Sequence, residues 1–143
     1  MHVTMLLADA AQVADGKLYI LGGGWSMVGP APAPMAVAAK LSIDSHELGR
    51  EMHWELFLED ADGHPVLLDT PQGPMPLEVR GELRAEPLPG LRAGTPVDLP
   101  LVINFGPFPL TPDARYVWRL VVDGEHHPGA AMSFTTRPAT SPS

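Results

Sequence analysis

The chain has 143 residues, with 9 Lys plus Arg against 17 Asp plus Glu and no cysteine. Its net charge of −8 repels nucleic-acid backbones and anionic lipid surfaces, and the missing thiols exclude disulfides, thiolate catalysis and cysteine-ligated zinc or iron–sulfur centres. This length suits one domain that removes roughly 70% of its unfolded surface from water without covalent staples.

The opening "MHVTMLLADAAQV" has no basic residue ahead of its apolar stretch, and Asp9 interrupts that stretch, so it reads as a strand and not as a signal peptide. Asp15-Gly16 supplies a tight turn into a second strand, "KLYILGG". The implied register sets Val13 against Leu18, Ala11 against Ile20 and Asp9 against Gly22, so that Gly22, Gly23 and Gly24 face Leu7 to Asp9. Three bare positions permit a bulge or the close approach of another segment, and Trp25 is expected to cover them. A phosphate loop is excluded here. Gly24 is followed by Gly29-Pro30 with no Lys-Ser/Thr, Met27 stands where a dinucleotide fingerprint needs its third glycine, and the proline run "GPAPAP" cannot open a helix.

"AVAAKLSI" reads as a third strand, and residues 45–50 as a turn or a single helical turn. In "EMHWELFLED" the period-2 pattern is better filled than a helical stripe: Met52, Trp54, Leu56 and Leu58 lie on one face, His53, Glu55 and Glu59 on the other. Asp62-Gly63 is a second reversal; the surrounding "DADG" is no EF-hand, since Pro71 occupies the position of the twelfth-residue acid. "MPLEVRGEL" and "VDLPLVINF" are two more strands, joined by an aperiodic surface connection over residues 84–96. The apolar run 99–110 is far too short to span a bilayer and carries three prolines.

In "LTPDARYVWRLVVDG", Leu110-Thr-Pro112 precedes Tyr116 with the spacing of the tyrosine corner found in fibronectin-III and immunoglobulin-type sandwiches. Tyr116, Trp118, Leu120 and Val122 form one face of the strand. Asp123-Gly124 turns the chain again, "AAMSFTT" is the last strand, and residues 138–143 are expected to be a disordered tail after a single domain over 1–137. The 17 prolines and 14 glycines, spread along the chain, leave little room for helices.

Six histidines raise the question of metal binding, but none has a partner at ligand spacing, and His126 and His127 are read as solvated loop residues. There is no G-x-S-x-G elbow, and Ser26, Ser42, Ser45 and Ser133 lack a recognisable His and Asp context. His53, on a strand beside Glu55, is the histidine best placed to share a face with acids.

Across "ADAAQVADGKLYILGGGW", "HWELFLEDADGHPV" and "LTPDARYVWRLVVDGE", the chain resembles an actinobacterial-type bacterial family of domains of unknown function. The shared opening has the form ADxAxVxxGKLYILGGGW, and the closing element LxPxxxYxWRLxVDGE. The resemblance implies a soluble sandwich domain and brings no activity, cofactor or catalytic residue with it.

These observations lead to an all-β, immunoglobulin-like antiparallel sandwich of seven to nine strands, in a cytoplasmic protein. The reading leans away from an enzyme: no catalytic residue, cofactor or metal is assigned. The leading function is a non-catalytic module that binds a protein partner or itself through its sheet edges, with no nucleic-acid or membrane partner. The rival is a ligand-binding or hydrolytic cleft formed by Trp25, His53, Trp54 and Glu55.

Overall fold

The alternating runs become eleven strands in the computed structural model, which describes residues 1–139; from residue 140 onward the expected tail lies outside the described residues. One sheet has the order β2-β1-β4-β9, formed by β1 His2–Ala14, β2 Lys17–Gly23, β4 Met35–Ile43 and β9 Val97–Phe105. The other has the order β3-β11-β10-β5-β8, formed by β3 Met27–Val28, β5 Glu51–Asp60, β8 Glu78–Arg84, β10 Arg115–Val122 and β11 Glu125–Thr136. A small hairpin, β6 Leu67–Thr70 with β7 Gly73–Pro76, is inserted between β5 and β8. The all-β sandwich is the expected class. The only helical element among the described residues is a 3₁₀ turn, Ser45–Glu47, and none is long and apolar enough to cross a membrane.

Period-2 alternation explains the core. On the second sheet Met52, Trp54, Leu56 and Leu58 point inward beside Tyr116, Trp118, Leu120 and Val122; on the first, Val3, Met5 and Leu7 do so beside Val37, Ala39, Leu41 and Ile43. Trp118 is fully enclosed, stacked on Phe105 with ring centroids 4.7 Å apart and met edge-on by Phe108. The two sheets come closest where β1 passes β11, and there Gly129 leaves no room for a side chain beside the Val3 carbonyl.

The first sheet curls. Its outward-facing Ala36 and Ala38 are buried together with Ala8 and Ala11, with Val102 packed against them, because the β1–β2 hairpin bends toward β9. Asn104 of β9 secures the bend: its amide donates to the Ala11 carbonyl at 2.8 Å, and its oxygen accepts from the Ala11 N–H at 3.2 Å. Alanines suit this inner turn, where larger side chains would hold the layers apart.

The hairpin register is the expected one, with Val13 opposite Leu18 and Ala11 opposite Ile20. Asp15 and Gly16 both take positive φ (52° and 69°), as do Asp123 and Gly124 (51° and 74°), the condition for a type I′ turn. The Asp62-Gly63 reversal is built differently: a carboxylate oxygen of Asp60 accepts the N–H groups of Asp62 and His64, both at 2.9 Å. The tyrosine-corner contact forms as well, the Tyr116 hydroxyl accepting the Thr111 N–H at 2.9 Å. Buried Thr136 completes it by donating to the Thr111 carbonyl at 2.6 Å and accepting from the Ala114 N–H at 3.0 Å.

The two facing sheets hold nine strands, within the expected number, and the short β6–β7 hairpin brings the total among the described residues to eleven. Three expectations are corrected. The single strand expected over "MPLEVRGEL" breaks at Leu77, whose N–H donates to Val66. The last strand begins at Glu125, so His126 and His127 lie in β11 and not in a loop. Trp25 does not cover the glycines, for the reason given below.

Candidate functional site

Strand alternation separates the expected site residues. On β5, Trp54 points into the core and lies over Gly81 of β8, where an added Cβ would come within 2.6 Å of the indole ring. His53 and Glu55 point out, beside Glu82 and Arg80. His53 and Glu55 border a shallow depression with Arg80 and Glu82, whose floor at Gly81 is the buried Trp54 ring seen from its other side. His53 Nδ1 stands 3.6 Å from the Glu82 carboxylate, beyond hydrogen-bond length. Arg80 reaches Glu78 at 3.2 Å and Glu55 at 3.5 Å. The Glu82 carboxyl is pushed above the usual carboxylate range, first by its hydrogen bond with Glu51 and then by that neighbour's charge, with His53 pulling the other way. The strip is a solvated ladder of alternating charge, with no nucleophile beside His53.

Trp25 lies at the opposite edge of the same sheet, its ring edge-on to Phe134 of β11 at 5.9 Å. The glycines before it explain how it gets there. Gly22 has φ +61°, and the Asp9 carboxylate occupies the space its Cβ would need; Gly24 has φ +88° and donates its N–H to the Leu7 carbonyl at 2.8 Å. The left-handed residues bend the chain off β1 and carry Trp25 to the second sheet. There Trp25, Asp9, Met35, Phe108, Leu110 and Arg137 line an open cavity of about 270 Å³ together with the proline-rich segment 29–34. Asp9 and Arg137 make no ion pair among the described residues.

Two surface groups bring acid and histidine donors together, Asp44 with His46 and Glu47, and Asp60 with Asp62 and His64. In the second group an Asp60 oxygen is already engaged by the turn's backbone.

The sheet edges differ more sharply than any pocket. Strand β8 alternates Glu78, Arg80, Glu82 and Arg84; β9 carries Asp98 and Pro100; β3 is two residues long; β6 and β7 are four residues each, with Asp69, Pro74 and Pro76. Charges, prolines and brevity are the devices that keep an edge from pairing. Strand β2 has none of them beyond Lys17 at its start, and it exposes Tyr19, Ile20 and Leu21, the last at 71%. The signal is in the sequence: from Leu18 to Ala39 no residue is charged, in a chain of net charge −8.

Taken together these features define an all-β sandwich domain with one unprotected edge. The chain belongs to DUF6941, a family of unknown function, which it matches over residues 3–134. No curated protein and no solved structure matches it.

Proposed function

We propose that this protein is a non-catalytic interaction module of immunoglobulin-like type that takes up an extended, uncharged polypeptide strand along the β2 edge. The observation that carries this reading is the contrast between edges: β2 alone, among the described residues, combines length with freedom from proline and from charge after Lys17. Strand addition draws its affinity from backbone hydrogen bonds and its selectivity from alternate side chains, and Tyr19 and Leu21 are the side chains presented. A photo-crosslinking residue placed at Tyr19 in the producing cells is expected to give a protein adduct, while the same probe at Arg80 on β8 gives none. Absence of an adduct at Tyr19 would overturn the reading.

A second reading, ligand binding, is favoured at Trp25 by two opposite charges on one small cavity that make no ion pair among the described residues. It assigns the cavity a small zwitterion, its amine toward Asp9 and its carboxylate toward Arg137. The probe is free leucine or phenylalanine: either should change the tryptophan fluorescence of the native protein and leave that of Trp25→Phe unchanged. An identical response in both proteins counts against it.

A further inference from the structure

We infer that the strand taken up by β2 is β2 of a second copy, paired antiparallel about a two-fold axis at Tyr19. This rests on the reading of β2 as the docking edge, and it follows from where the backbone groups of β2 point.

The Ala11 N–H and C=O both bond to the Asn104 side chain, so they point away from β2. Ala11 sits opposite Ile20; in an antiparallel pair of this kind both residues turn their polar groups away from each other. Ile20 therefore directs its N–H and C=O to the open side, and by alternation Leu18 and Gly22 do the same. Gly22, at φ +61°, has left the regular strand conformation. The regular part of the edge is Lys17 to Leu21, with Leu18 and Ile20 offering the free donors and acceptors.

A self-pairing must bring outward residues opposite outward residues. Setting Leu18 against Ile20 of the second copy satisfies both twice over, leaves Gly22 outside the ladder, and is its own mirror under a two-fold axis, as an isologous contact requires. Tyr19 then faces Tyr19 of the second copy in the narrow pair, where side chains are closest. Lys17 faces Leu21, and its methylene stem can lie along that exposed side chain. The two four-stranded sheets become one continuous sheet.

The charge on the β2 seam itself favours contact with a negative chain. Two chains of charge −8 repel each other, and a seam through β9 would add Asp98 of each copy to that repulsion. The seam through β2 carries only Lys17, a cation against a negative second copy. A five-residue seam is short compared with standard interfaces, so the dimer is expected to be concentration-dependent.

The absence of cysteine gives a clean test. In Tyr19→Cys the two thiols would face each other with Cα atoms about 4.5 Å apart, within disulfide reach, so mild oxidation should yield a covalent dimer. Leu21→Cys alone should not, because its symmetry mate lies four residues away, roughly 13 Å along the strand. Lys17→Cys mixed with Leu21→Cys should. In light scattering the native protein should dimerise with concentration, whereas Leu21→Lys, which sets a second cation opposite Lys17, should stay monomeric with an unchanged melting curve. A monomer at every concentration, or equal trapping at positions 19 and 21, overturns the self-pairing. A Tyr19 photo-adduct whose mass is not that of a second copy overturns it too, yet leaves the β2 docking reading standing; no adduct at all removes both.

Discussion

Trp118→Ala is expected to cost about 3–5 kcal/mol, the range for truncating a large buried aromatic. Against a total stability of about 5–15 kcal/mol for a domain of ordinary size, that is enough to leave a large unfolded fraction. The side chain is fully buried, stacked on Phe105 and met edge-on by Phe108, so its loss opens a hole between the sheets that β9 and the Phe108 loop cannot fill without leaving their own partners. Trp118→Phe should cost much less. The indole Nε1 is buried with no hydrogen-bond partner, and replacing a buried donor that bonds nothing removes a penalty along with the lost area. Urea denaturation followed by far-UV circular dichroism measures both. A Trp118→Ala loss below about 1 kcal/mol, the usual size for surface or marginal sites, would show that the aromatic cluster is not the centre of the core.

Gly129→Ala should be the most damaging glycine substitution in the chain. The residue has φ +81°, which by itself strains an L-residue by about 1–3 kcal/mol, and an added Cβ would run into the Val3 carbonyl. Backbone of a neighbouring strand cannot step aside as a side-chain end can. Two controls separate these effects: Gly24 has φ +88° with open space around it, whereas at Gly22 the obstacle is the Asp9 carboxylate, the end of a side chain that can rotate. The expected order of destabilisation is Gly129→Ala well above Gly24→Ala, each measured by the same denaturation. Equal losses would mean that the close approach of β1 and β11 contributes nothing to stability.

Much of the fold is legible in the chain because its signals are local. The inward faces of β5 and β10 follow from alternation, the β1–β2 register from a two-residue Asp-Gly loop, and the Tyr116 contact with Thr111 from a five-residue spacing. The candidate site is less so. His53 and Trp54 are neighbours in sequence and therefore on opposite faces of one strand, and Trp25 stands three strands away from β5, beside β11. Residues that look like one cleft in a list of aromatics are distributed over an outer sheet face, an edge and the interior. The uncharged run from Leu18 to Ala39 is visible without any structure, but it acquires meaning only once β2 is known to be an edge.

The sequence by itself determined which side of each strand is buried and where the hairpins turn, because side-chain direction alternates with a period of two and a tight turn needs particular φ values. The tertiary structure alone decided the rest: the strand order, the curl that buries Ala36 and Ala38 beneath the β1–β2 hairpin, and the open edge left at β2. Those depend on pairings between segments far apart in the chain, such as Asn104 with Ala11. No local pattern specifies them, since the free energy that selects one partner strand over another is summed over the whole core.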